Sequence, residues 1–124
     1  MVNPKNDPES PLPLTPAVFH VLLSLAGGDR HGYAIMQDVE TSTEGQIKMG
    51  PGTLYGTVKR LLAAQLIEES DERPDPCLDD QRRRYYRLTA VGEQVVRAEA
   101  QRYADIVAIA RGKKLFGKPA HGLS

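Results

Sequence analysis

Tyr55 and Lys59 stand one helical turn apart, with Thr53 and Arg60 beside them and Gly52 and Gly56 interleaved. Phenol, ammonium, hydroxyl and guanidinium groups are donors suited to phosphate oxygens and to base edges. The two glycines keep one face of the segment low, which lets a backbone approach a nucleic acid closely. Arg82, Arg83 and Arg84 supply a second cationic run further along. These groups bind charge; they do not break bonds. The sequence has no phosphate-cradling loop, no spaced metal ligands and no nucleophile with a companion base, so an enzyme is not expected. His20 and His31 fall on separate segments without a ligand cluster, so neither a metal site nor a cofactor is expected. Cys77 lies in an acidic stretch that disfavours a reactive thiolate.

Sixteen basic and sixteen acidic residues cancel in this chain of 124 residues, yet the charge is unevenly spread. Residues 82 to 124 carry ten Lys or Arg against three acids, while residues 71 to 81 carry five acids and one Arg. Nucleic acid responds to local potential, so a neutral total does not argue against it. A 40% hydrophobic and 26% charged composition suits one small domain, and small domains gain stability by associating. One cysteine permits no internal disulfide and points to a reducing compartment. With neither a signal peptide nor a membrane span in view, the cytoplasm is the expected location.

The elements that must position these groups are legible in outline. Residues 1–13 hold four prolines and few apolar side chains, the pattern of a loose arm. Thr15 and Pro16 form a cap and first-turn pair, with Leu14 and Phe19 spaced as a hydrophobic staple. The following run, Val18 to Leu25, is apolar on nearly all sides, as in a central helix or one shared with a second subunit. Asp29 to Tyr33 opens a second helical segment with Ile35, Met36 and Val39 inward, followed by a short extended stretch at 46–49. Gly50-Pro51-Gly52 starts a third helix whose inner face is Leu54, Val58, Leu61 and Leu62. Two strands follow, residues 66–70 and 83–88, joined by a long acidic loop as a hairpin. Arg84, Tyr86 and Leu88 share one side of the second strand, and Arg83, Tyr85 and Arg87 the other.

Thr89 caps a last helix that ends near Gly112 and measures about 33 Å at 1.5 Å per residue. Its apolar positions are Val91, Val95, Val96, Tyr103, Ile106, Val107 and Ala110. Its far end overhangs the domain and needs a partner, most simply the same helix of a second copy. The dimerisation residues expected are Val18, Leu22, Val95, Val96, Tyr103, Ile106, Val107 and Ala110. Residues 113–124 read as a basic, frayed tail.

Three helices and then a hairpin is the winged helix-turn-helix order. The chain resembles the PadR-like transcriptional regulators through Leu14-Thr15-Pro16, His31-Gly32-Tyr33, Gly52-Thr53-Leu54-Tyr55 with Arg60-Leu61, and Leu66-Ile67. Arg84 to Thr89 with Gly92 complete the set, which spans Leu14 to Arg111 in order. The resemblance implies a mainly α fold with a small β-hairpin and one long C-terminal dimerisation helix. It also implies a homodimer on double-stranded DNA, commonly a repressor and often released by a small-molecule effector. By position, Thr53, Tyr55 and Lys59 would meet DNA from the recognition helix, and Arg83 and Arg84 from the wing. Residues 14–88 would be the DNA-binding domain and 89–112 the dimerisation helix.

Two departures stand out. Gly50 replaces a side-chain cap, and Gln65 replaces a glycine, which predicts loss of an easy left-handed turn there. Tyr33, Tyr85 and Tyr86 read as packing residues more than as a ligand box. The rival to DNA binding is a winged-helix module that binds protein, since the fold alone does not choose.

Overall fold

Thr15 is extended and its hydroxyl accepts the Val18 amide, while Pro16 takes the first helical position; together they start α1 (Pro16–Ala26). The structure, a computed structural model, describes residues 13–70 and 84–117. After α1 come β1 (Arg30–His31), α2 (Gly32–Ser42), α3 (Pro51–Ala63), β2 (Ile67–Ser70), β3 (Tyr85–Leu88) and α4 (Ala90–Gly112). The described residues thus give a mainly helical chain with a small antiparallel sheet and a long C-terminal helix.

The sheet has one strand more than the hairpin expected from sequence. Its order is β1-β3-β2, with His31 opposite Tyr85 and Ile67 opposite Leu88. Arg30 and His31 therefore close the sheet instead of opening the second helix, which begins at Gly32. A two-residue strand has no period to read, and only its partner defines it. Arg30 also donates through Nε to the Ser24 carbonyl at 2.9 Å, tying the strand to the end of α1. Residues 46–49, expected to be extended, form no strand.

The core gathers one face of each helix onto the sheet. Val21, Leu22, Ile35, Val39, Leu54 and Ile67 are essentially inaccessible. Burying such side chains contributes about 1.5–3 kcal/mol each before chain entropy is charged against it. Tyr85 and Tyr86 are both buried, as their packing assignment requires. Strand alternation places them on opposite faces. Tyr86 joins the core, and Tyr85 is covered by the His31 ring edge-on at 5.3 Å. Tyr33 is different: it stands 57% exposed, with its hydroxyl accepting the Gln37 amide, and packs nothing central.

Two close approaches fix the long helix. A Cβ at Gly92 would overlap the Leu66 carbonyl oxygen, so only glycine lets the first turn of α4 rest on the start of the hairpin. Further along, the fully buried Glu99 accepts the Leu14 amide at 2.9 Å and is gripped by Arg102 through Nε at 2.7 Å and a second guanidinium nitrogen at 3.1 Å. The Arg102 hydrogen bonds hold the Glu99 carboxyl below its ordinary pKa, against the opposing effect of burial. Leu66 and Glu99 thus anchor α4 at two heights. Leu22, Val95 and Val96 are consumed by this core, which corrects their assignment to a dimer surface. Of the tail expected at 113–124, residues 118–124 lie outside the described residues, and the first residues close α4 with a defined turn. Lys114 adopts φ 60°, and the amides of Lys114 and Leu115 bond to the Arg111 and Ala110 carbonyls, a Schellman stop.

Candidate nucleic-acid interface

α3 begins without a side-chain cap. Gly50 is extended (φ −79°, ψ 169°), Pro51 occupies the first turn, and the cap position makes no side-chain hydrogen bond to the leading amides. Buried Leu54, Val58 and Leu61 fix the roll of the helix, and Thr57 is buried with them. The opposite face therefore looks outward, carrying Gly52, Thr53, Lys59 and Arg60, all exposed. Gly52 and Gly56 have open space where a Cβ would stand, so that face stays low. Arg60 donates to the Thr57 hydroxyl at 3.3 Å. No carboxylate among the described residues forms an ion pair with Lys59 or Arg60.

Tyr55 stands at the edge of this face, 47% exposed, with its ring laid over Gly32. A Cβ at Gly32 would collide with the Tyr55 ring and hydroxyl, so glycine at the start of α2 is what seats the tyrosine. His31 immediately before it caps α2, accepting the Ala34 amide through Nδ1. These contacts join residues far apart in the chain, and neither segment alone signals the pairing.

Between α3 and the sheet runs an open groove of about 360 Å³, lined by Tyr55, Val58, Lys59, Glu69, Arg84 and Tyr86 among others. Arg84 contacts Glu69 across the strands at 3.0 Å. On the opposite face of the hairpin Arg87 pairs with Glu68 at 2.8 Å. Burial raises the Tyr86 pKa, helped by Glu69 and Tyr55 and opposed by Arg84, so its phenol stays neutral. Glu69 was not among the residues picked out from sequence. Only the strand register reveals that it faces the groove. Arg82, Arg83, Cys77 and the acidic stretch 71–80 lie outside the described residues.

Gln65 keeps the turn it was expected to lose. Its φ is 62°, so a non-glycine residue adopts the left-handed conformation that leads into the wing. The Thr89 hydroxyl donates to the Gln65 carbonyl at 2.7 Å, and its oxygen accepts the Gly92 amide. Wing and long helix are thereby fastened at one point.

On α4 the apolar stripe buried up to Val96 and Glu99 continues uncovered along Tyr103, Ile106 and Val107. Tyr103 stacks on Phe19 of α1 with ring centres 5.2 Å apart and planes 2° from parallel. Ala110 and Val18 are partly covered. No described helix is long and apolar enough to cross a membrane.

The geometry has known counterparts. A segment of 86 residues, 69% of this chain, is 38% identical to an uncharacterised 37.1 kDa protein in transposon Tn4556 of Streptomyces fradiae. The match spans 22% of that protein's length. A transcriptional regulator from Streptococcus is 29% identical, with a TM-score of 0.62 over 78% of this chain and 90% of that one. A PadR-like transcriptional regulator from Bacillus cereus, 18% identical, shares the fold with a TM-score of 0.64 over 82% of this chain and 92% of its own. The profile of the Transcriptional regulator PadR-like family matches residues 21–98. That is more than half of the sequence, and the chain therefore belongs to the PadR-like family, whose members regulate transcription and are not enzymes.

Proposed function

We propose that the chain works as a homodimer occupying an inverted-repeat operator in double-stranded DNA, and that occupancy represses transcription. The observation that carries this reading is the outward face of α3. It is low at Gly52 and Gly56, bears Thr53, Tyr55, Lys59 and Arg60, and lies beside a wing that brings Arg84. A helix of that profile enters a major groove and reads base edges, while the wing meets the backbone. The uncapped amides of α3 offer a further contact for a phosphate. Arg82 and Arg83, next along the wing, are assigned to the same backbone contact.

The second copy enters through α4. Tyr103, Ile106, Val107 and Ala110, with Val18 at the margin, would pair two long helices and set the recognition helices about one DNA turn apart. Release by a small molecule, which the family resemblance implies, would act by altering that spacing. The test is a gel shift with DNA from upstream of the chain's own gene, at two salt concentrations, followed by footprinting. A retarded band that weakens steeply with salt, and a symmetric footprint, are expected. No salt-dependent shift on any duplex would refute DNA binding, and an asymmetric single-site footprint would refute the dimeric operator.

A further inference from the structure

Glu69 sits on the wrong side of the wing for an ornamental acid. β2 and β3 are already held by four registered residue pairs, and Ile67 and Leu88 bury the near end of that ladder. An exposed pair such as Arg84–Glu69, with both side chains about half accessible or more, adds little to stability. Its position is more informative than its strength. Glu69 projects on the side of the hairpin that carries Tyr86 and Arg84, and lines the groove shared with Tyr55 and Lys59. Glu68, the adjacent acid, pairs with Arg87 on the other side.

We infer that Glu69 is a specificity-determining residue: it holds Arg84 in the groove and so limits sequence-independent attraction to DNA. The inference rests on the reading of α3 and the wing as the DNA-facing surface. A non-specific complex draws only on phosphate contacts, and each cation withheld from phosphate weakens it. An operator complex draws also on base contacts from α3, so it depends less on the Arg84–phosphate contact for which Glu69 competes. Removing the carboxylate frees Arg84 for any phosphate and removes a charge that repels the backbone. Random DNA gains more than the operator does, and the ratio between them falls.

The experiment measures binding to a random-sequence duplex and to the duplex that the unaltered dimer selects from a random pool, over a series of salt concentrations. Glu69→Gln is expected to tighten random-duplex binding about three- to tenfold near 0.1 M salt and steepen its salt slope by about one unit. The selected duplex gains less. Glu68→Gln removes the same charge from the opposite face and should change random binding less than twofold. Arg84→Gln should weaken random-duplex binding less in the unaltered protein than in the Glu69→Gln background, where it cancels the gain. Unchanged random binding in Glu69→Gln, an equal gain in Glu68→Gln, equal gains on both duplexes, or an Arg84→Gln loss independent of Glu69 each overturns the inference while leaving DNA binding intact. Failure of the unaltered protein to bind either duplex overturns both.

Discussion

At position 65 a glutamine holds a backbone conformation that glycine adopts at no steric cost. Its φ of 62° is imposed by the tight passage from α3 into β2, where the Leu66 amide reaches back to the Leu61 carbonyl. A side chain there costs roughly 1–2 kcal/mol, part of which glycine returns through its looser unfolded chain. Gln65→Gly should therefore stabilise the fold by about 0.5–1 kcal/mol and raise Tm by several degrees, seen in a thermal melt. A lowered Tm would show that the glutamine side chain makes a contact worth more than the strain. Glu99 is the second residue with a consequence of its own. Its folded-state pKa is depressed, chiefly by the Arg102 hydrogen bonds, so its contribution is fully present above its ordinary value of 4.5 and is lost as pH falls through the lowered one. Glu99→Gln should cost about 1–3 kcal/mol near neutrality. The difference from the unaltered protein should shrink below about pH 4.5. Denaturant titrations from pH 3 to pH 7 would check this, and a difference constant with pH would remove Glu99's charge from the account.

Among the elements, α4 depends on the approach of Gly92 to the Leu66 carbonyl. Gly92→Ala must push the helix off the hairpin, at about 1–3 kcal/mol as for other overpacked contacts. Gly112→Ala, where a Cβ meets nothing, serves as control and should be neutral or slightly stabilising. Equal melting of the two variants would show that α4 docks elsewhere. The contrast also marks what sequence reading can reach. Caps are local, so Thr15-Pro16 and Thr89 announced α1 and α4 correctly, and Gly50 was rightly read as a cap lacking an acceptor. The exposed face of α3 followed from the spacing of Leu54, Val58 and Leu61 for the same reason. Contacts across the chain leave no such trace. β1 is two residues long, Tyr55 lies over a glycine in another helix, and Glu69 gains its place only from strand register. Glu99 looked like one acid among sixteen, because its Arg102 partner is an ordinary i,i+3 neighbour and only the distant Leu14 amide marks it as buried, a tertiary fact.

For the molecule as a whole the decisive feature is where α4 stops being covered. Its 23 residues span about 34 Å, and the last buried position is Glu99. Beyond it Tyr103, Ile106 and Val107 continue the same stripe into solvent, with Tyr103 sheltered in part by the Phe19 stack and the Arg102 guanidinium. Exposed apolar surface forfeits about 25 cal/mol for each Å² that a partner could bury, and intrinsic helical propensity adds little in compensation. A second copy of α4 is the simplest surface of matching length and character. Ile106→Asp combined with Val107→Asp should therefore give a monomer whose core is unaffected, since both side chains lie outside the buried set. Operator affinity should fall by a factor on the order of one hundred or more, because two half-site contacts no longer reinforce each other. Sedimentation and a melt on the same sample separate the alternatives. A folded monomer with weakened operator binding supports pairing through α4. A dimer that survives both aspartates shifts the interface to the exposed side of α1, around Val18 and Leu23.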